Sequence, residues 1–202
     1  MDIDELIRKS KSRRTRGAAL ETMRKTMDPA VTGRLTEMMD EKLSVLELET
    51  LCEGLANHEI TESRDFLKGL LDHKDTELVQ SALVAMSSLF GAEETESYGA
   101  SLKRRAPMIR DQAMSVIRDC ADARCVEAVK ARLKVILARD RPNDSYPHPG
   151  PSEVEDGVVY LARIAETDSA LKRFLHDLAN KRWSRLKPLE QRRFAQFKRL
   201  VF

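Results

Sequence analysis

The 202-residue sequence is poor in aromatics (5%), and it has only eight glycines, seven prolines and three cysteines. Few turn-forming residues and few aromatic or β-branched strand formers argue against a sandwich or barrel of many short strands. Three cysteines, Cys52, Cys120 and Cys125, form no even-numbered framework of disulfides, which suits a reducing compartment. No stretch approaches the roughly 18 consecutive apolar residues of a membrane span. The opening MDIDELIRKSKSRRTRG has no apolar run of signal-peptide length. The expectation is a soluble, cytoplasmic protein with no membrane association.

Chemistry-bearing patterns are missing too. The four histidines, His58, His73, His148 and His176, have no second histidine at i+3 or i+4, and no zinc spacing occurs. There is no phosphate-cradling glycine loop and no Gly-x-Ser-x-Gly. The acidic run Glu93-Glu94-Glu96 reads as a solvated helix start, where carboxylates suit the dipole. The expectation is a non-enzymatic protein with no cofactor and no metal.

What the sequence does have is charge and helix formers. Charged residues make up 34% of the chain, with a net charge of only +2. The sum hides a split, because residues 1–101 carry a net −7 and residues 102–202 a net +9. From Ala170 onward there are ten basic and two acidic side chains. Such asymmetry bears on partners rather than on fold.

The apolar residues repeat. In 78–90 the positions Leu78, Val79, Ala82, Leu83, Met86, Leu89 and Phe90 trace one helix face. A step of 31 residues places Leu20, Leu51, Ala82 and Ala113 in register. It does the same for Cys52, Leu83 and Met114, for Leu55, Met86 and Ile117, and for Leu89 and Cys120. A second helix set keeps the same step: Leu35 with Phe66, Met39 with Leu70, Tyr98 with Val129, and Leu102 with Leu133. Agreement on two helices at one period indicates stacked helical hairpins. Punctuation agrees. Asp28-Pro29, Thr61-Glu62, Asp75-Thr76, Asp122, Asp168 and Pro188 read as helix starts. These signals place hairpins at about 14–42, 44–73, 75–105 and 106–139.

Leu71-Asp72-His73-Lys74-Asp75 followed by Leu78-Val79-Gln80-Ser81-Ala82 resembles the HEAT repeat, with its Asp-containing turn and Val-Arg-x-x-Ala element. Ile109-Arg110-Asp111-Gln112-Ala113 matches that element with the arginine present. The resemblance covers roughly residues 14–140, and the element is degraded in the first two units. It implies an all-α fold: a right-handed α-solenoid of about five stacked hairpins with terminal capping helices, residues 1–202 forming one domain. Residues 1–13 are an N-terminal basic arm or cap. Residues 14–140 hold four hairpins, 141–151 a Pro-rich loop, and 152–202 a fifth hairpin and basic cap. Trp183, Phe194, Phe197 and Phe202 read as cap core, and Cys52 and Cys120 as buried repeat positions.

The loop RPNDSYPHPGP has four prolines and cannot be helical. It reads either as a plain connection or as a binding loop presenting Tyr146 and His148. The resemblance implies that second helices line a concave face. The cations assigned there are Arg34, Arg64, Lys68, Lys103, Arg104, Arg105, Lys130, Arg132, Lys134, Lys172 and Arg173, interleaved with acids as an ordinary solvated face also would be. Together with Tyr146 and His148, all of these except Arg34 and Arg105 form the expected partner-binding set.

Two functions fit. One is a non-catalytic protein-binding solenoid, a scaffold, adaptor or immunity-type inhibitor, holding a partner with an acidic surface. The alternative is nucleic-acid binding, as in the HEAT-like alkylpurine DNA glycosylases, on the basic C-terminal half. That alternative lacks aromatics beside the cations to hold an unstacked base. A lyase role like that of HEAT-repeat bilin lyases needs an accessible cysteine, and the cysteines here read as core.

Overall fold

A computed structural model describes residues 2–139 and 152–201, with side chains to residue 197. The described residues form twelve α-helices joined by turns and short 3₁₀ segments, with no strand among them. Contacts gather the chain into two compact units, residues 1–91 and 92–202.

The first unit holds α1 (Ile3–Ser10), α2 (Arg16–Met23), α3 (Pro29–Glu37), α4 (Val45–Asn57), α5 (Arg64–Leu70) and α6 (Thr76–Phe90). The second holds α7 (Thr95–Ser101), α8 (Pro107–Cys120), α9 (Val126–Leu137), α10 (Glu153–Ile164), α11 (Ser169–Arg182) and α12 (Pro188–Val201). The starts follow from local chemistry. Asp28, Asp75 and Asp168 accept backbone N–H bonds at the openings of α3, α6 and α11. Ser44 and Ser152 form capping boxes with Glu47 and Glu155. At Thr61 and Asp122 the opening turn is 3₁₀, and the α-helix proper begins three or four residues later.

The 31-residue register is the core. Leu20, Leu51, Ala82 and Ala113 are each fully buried, as are Cys52, Leu83 and Met114, and Leu55, Met86 and Ile117. On the other helix set Leu35, Tyr98, Val129, Leu102 and Leu133 are buried, whereas Phe66 and Leu70 are half-buried. Each buried leucine, isoleucine, valine or methionine among them contributes about 1.5–3 kcal/mol by leaving water. Cys120, expected in the core, is half-buried because its position and that of Leu89 lie at the edge of the buried stripe.

In the first unit α1 packs on α2, α3 on α4 and α5 on α6, while α2, α4 and α6 lie side by side. In the second unit α7 packs on α8, α9 on α10, and α11 on both α10 and α12, while α8, α10 and α12 lie side by side. Residues 3–10 are therefore a docked helix, with Leu6 and Ser10 buried against α2 and α3. Glycines permit three close approaches: a Cβ at Gly54 would lie 3.3 Å from Leu35, one at Gly99 3.0 Å from the Cys125 sulfur, and one at Gly157 3.1 Å from Leu133.

Helix α6 ends at Gly91, whose φ of +48° is a conformation that L side chains rarely adopt. Nothing crowds its Cβ position, so strain alone decides the outcome of substitution. Gly91→Ala is expected to lower stability by about 1–2 kcal/mol, read as a lower urea midpoint with an unchanged slope.

Candidate protein-binding surfaces

In the first unit the side-by-side helices α4 and α6 enclose an open groove of about 620 Å³. Small side chains, among them Ala56, Ser81 and Ala85, leave space between the two helices. Glu49, Glu53 and Asn57 of α4 and Glu77, Gln80 and Val84 of α6 line it. The i, i+4 spacing of Glu49 and Glu53 puts both carboxylates on one side of α4. Glu53 pairs with Arg24, the residue that follows α2 and also holds Glu21. Glu49 and Glu77 have no ion-pair partner among the described residues. Partial burial, then the neighbouring carboxylates of Glu77 and Asp75, push the Glu49 carboxyl above the ordinary glutamate value. Val84, 46% exposed, adds an apolar contact surface. The groove is thus acidic. Sequence reading missed it because it weighed basic residues on the other helix set. The available signal was the Glu49/Glu53 spacing on the polar side of α4.

The expected cations differ in their settings. Arg64 lies over the Phe90 ring, 4.4 Å from its centroid, on α5, and Lys68 is half-buried one turn further on. Lys103 and Arg104 follow the end of α7, Lys103 exposed and Arg104 half-buried. Arg132 is turned inward against α10, donating to both carboxylate oxygens of Glu153 at 2.9 and 2.7 Å. Arg110 approaches the same carboxylate at 3.7 Å. Arg34 is not a surface cation at all: it is 5% exposed and bonded to Ser10, Glu37 and Glu41. Lys172 and Arg173 stand on the first turns of α11, half-buried and exposed. Tyr146 and His148 lie outside the described residues.

Two of the set do converge. Lys130 and Lys134, one turn apart on α9, lie 5.4 and 5.6 Å from the ring centroid of Phe174 on α11. Lys134, Phe174, Asp177, Leu178, Lys181 and Arg182 line a pocket of about 330 Å³. Beside it Trp183 begins a 3₁₀ turn at the end of α11 and is 43% exposed. This differs from its expected place in the cap core: leaving the helix at Arg182 turns the indole outward. Phe194 of α12 is buried as expected, and Phe197 is half-buried. Phe202 lies outside the described residues.

The thiol form is favoured at all three cysteines. Burial pushes Cys52 up to about 12 and Cys125 up to about 11, and it also raises Cys120. Among the described residues no group of three or more His, Cys, Asp or Glu side chains is placed to hold a metal ion. No described helix is long and apolar enough to cross a membrane.

Comparison with known proteins defines the class. No family model and no curated protein matches the chain. Solved structures do. A designed armadillo repeat protein in complex with the peptide (KR)4 superposes with a TM-score of 0.66 at 13% identity, covering 100% of both chains. Computationally designed armadillo repeat proteins for modular peptide recognition give 0.64 at 14% identity, over 98% of this chain and 99% of theirs. A further designed armadillo repeat protein gives 0.61 at 12% identity over the whole of both chains. At these identities the likeness is one of fold: the chain is an all-α, HEAT-like helical-repeat solenoid.

Proposed function

We propose that this solenoid is a non-catalytic protein-binding scaffold that holds an extended, cationic segment of a partner in the α4–α6 groove. The observation that carries this reading is the groove itself: about 620 Å³, with the Glu49 and Glu77 carboxylates unpaired at its wall. Charge-assisted hydrogen bonds from lysine or arginine to carboxylates are stronger than neutral ones, and complementary charge steers the encounter and fixes register. The similar designed protein solved with (KR)4, and those designed for peptide recognition, support a peptide as occupant of such a fold.

A labelled (KR)4 peptide tests this by fluorescence anisotropy. Wild-type protein should bind it with an affinity that falls as salt rises. Glu49→Lys with Glu77→Lys should weaken it about 30-fold or more, since like charge then meets like charge. Equal binding by that variant would remove the groove from the proposal. The pH response has a definite sign. The carboxylates must be ionised to bind, and Glu49 titrates above an ordinary glutamate. Affinity should therefore start to fall at a higher pH on acidification than it does in a Glu49→Gln background.

An acidic partner is the second reading, favoured by the cations gathered around Phe174. An immunity-type inhibitor working by occlusion and a cytoplasmic location belong to the same proposal. Nucleic-acid binding on the basic half has less support, because Arg132 is already committed to Glu153.

A further inference from the structure

We propose that the pocket between α9 and α11 is a specific site for an acidic protein segment in which a carboxylate neighbours an apolar side chain. The inference rests on the acidic-partner reading and gives it a place. Four cations approach the pocket, and they are not equivalent. Lys130 is held by Glu127 at 2.6 Å and Lys181 by Asp177 at 3.3 Å. Lys134 and Arg182 both line the pocket and have no carboxylate partner among the described residues. Two paired cations fix the frame, and two unpaired ones are left to meet an incoming anion.

The rest of the lining selects what carries that anion. Phe174 is half-buried and Leu178 is 7% exposed, so the pocket has an apolar wall between its charged edges. An aliphatic side chain packing there would bury apolar surface while its neighbouring carboxylate reached Lys134 or Arg182. A polyphosphate chain fits less well. Asp177 and Glu127 stand among the cations and would repel closely spaced phosphates. The ammonium groups of Lys130 and Lys134 already lie over the Phe174 ring, the position a stacked base would need.

The sole tryptophan, Trp183, follows Arg182 directly and is partly exposed, so its emission reports on this pocket. The probe is a short tryptophan-free peptide alternating glutamate with leucine. Controls are the same peptide with serine for leucine, and a single-stranded oligothymidylate of equal charge. The alternating peptide should shift Trp183 emission saturably and bind at least about 10-fold more tightly than the serine peptide. Lys134→Glu with Arg182→Glu should lower its affinity about 10-fold or more. Both positions are exposed, so unchanged circular dichroism and melting are expected, and Lys134→Ala with Arg182→Ala should give a smaller loss in the same direction. The inference is overturned by no binding to wild-type protein, by equal binding to the charge-reversed variant, or by tighter binding of the oligothymidylate. Binding of (KR)4 should be unchanged in that variant, which separates failure of this pocket from failure of the α4–α6 groove.

Discussion

Tyr160→Ala is expected to lower the unfolding free energy by about 4 kcal/mol, in the range of large-to-small changes of buried aromatic side chains. Tyr160 is fully buried, and its hydroxyl donates to the carbonyl of Asp122. Asp122 is the residue that caps the 3₁₀ turn leading into α9, so a side chain of α10 holds the start of its partner helix. Truncation opens a ring-sized cavity and leaves that carbonyl with only the long 3.4 Å bond from the Cys125 N–H. Tyr160→Phe keeps the ring and loses only the hydrogen bond, so it should cost about 1 kcal/mol. Urea unfolding followed through Trp183, which lies in the same unit, separates the two contributions. Equal losses in the two variants would mean that the hydroxyl, rather than the ring, dominates.

Arg34→Ala is expected to cost about 3 kcal/mol and to release α1. The guanidinium donates to the Ser10 hydroxyl at 2.8 Å and pairs with Glu37 at 3.2 Å and with Glu41 at 2.5 Å. Arg16 reaches the same Glu41 at 3.3 Å and donates to the Ser10 carbonyl at 3.1 Å. One serine at the end of α1 is thus tied to two arginines that share a carboxylate. Removing Arg34 leaves Glu41 with one partner and strips Ser10 of its buried donor. Arg34→Lys should recover less than half of the loss, because a single ammonium cannot span these acceptors as a planar fork does. Amide hydrogen exchange should show protection lost first in residues 3–10. Loss spread evenly through residues 1–91 would instead make Arg34 a general core contact.

Helix α12 has a comparable device. Glu190 is 1% exposed, accepts from the Lys187 backbone N–H, and accepts from the hydroxyl of Ser152, the residue capping α10. The Lys187–Pro188–x–Glu190 spacing announces a helix start in the sequence. Nothing in the spacing announces that the same carboxylate also reaches Ser152, 38 residues earlier.

Such cases divide what was legible from what was not. Helix positions and the buried stripe could be read directly, because capping and 3.6-residue periodicity act within a few residues along the chain. The 31-residue step carried that reading across repeats, and Leu20, Leu51, Ala82 and Ala113 all sit in the core. The candidate site was legible only in part. Lys130 and Lys134 share one face of α9 as their i, i+4 spacing allows, and the structure adds Phe174 to it, but Arg34 and Arg132 look on paper like the same kind of cation.

By itself, then, the sequence determined the helical class of the described residues, where several of the helices begin, and which face of the repeat helices is buried. Only the tertiary structure decided that α3 docks on α4 rather than α2, and that Arg34 and Arg132 are consumed by internal carboxylates. It also decided that Trp183 faces outward and that Glu49 and Glu77 meet across a groove. The physical reason is range. Periodicity and caps are set by neighbours on the same helix. The state of a charge depends on what another helix, tens of residues away, brings within about 3–4 Å of it.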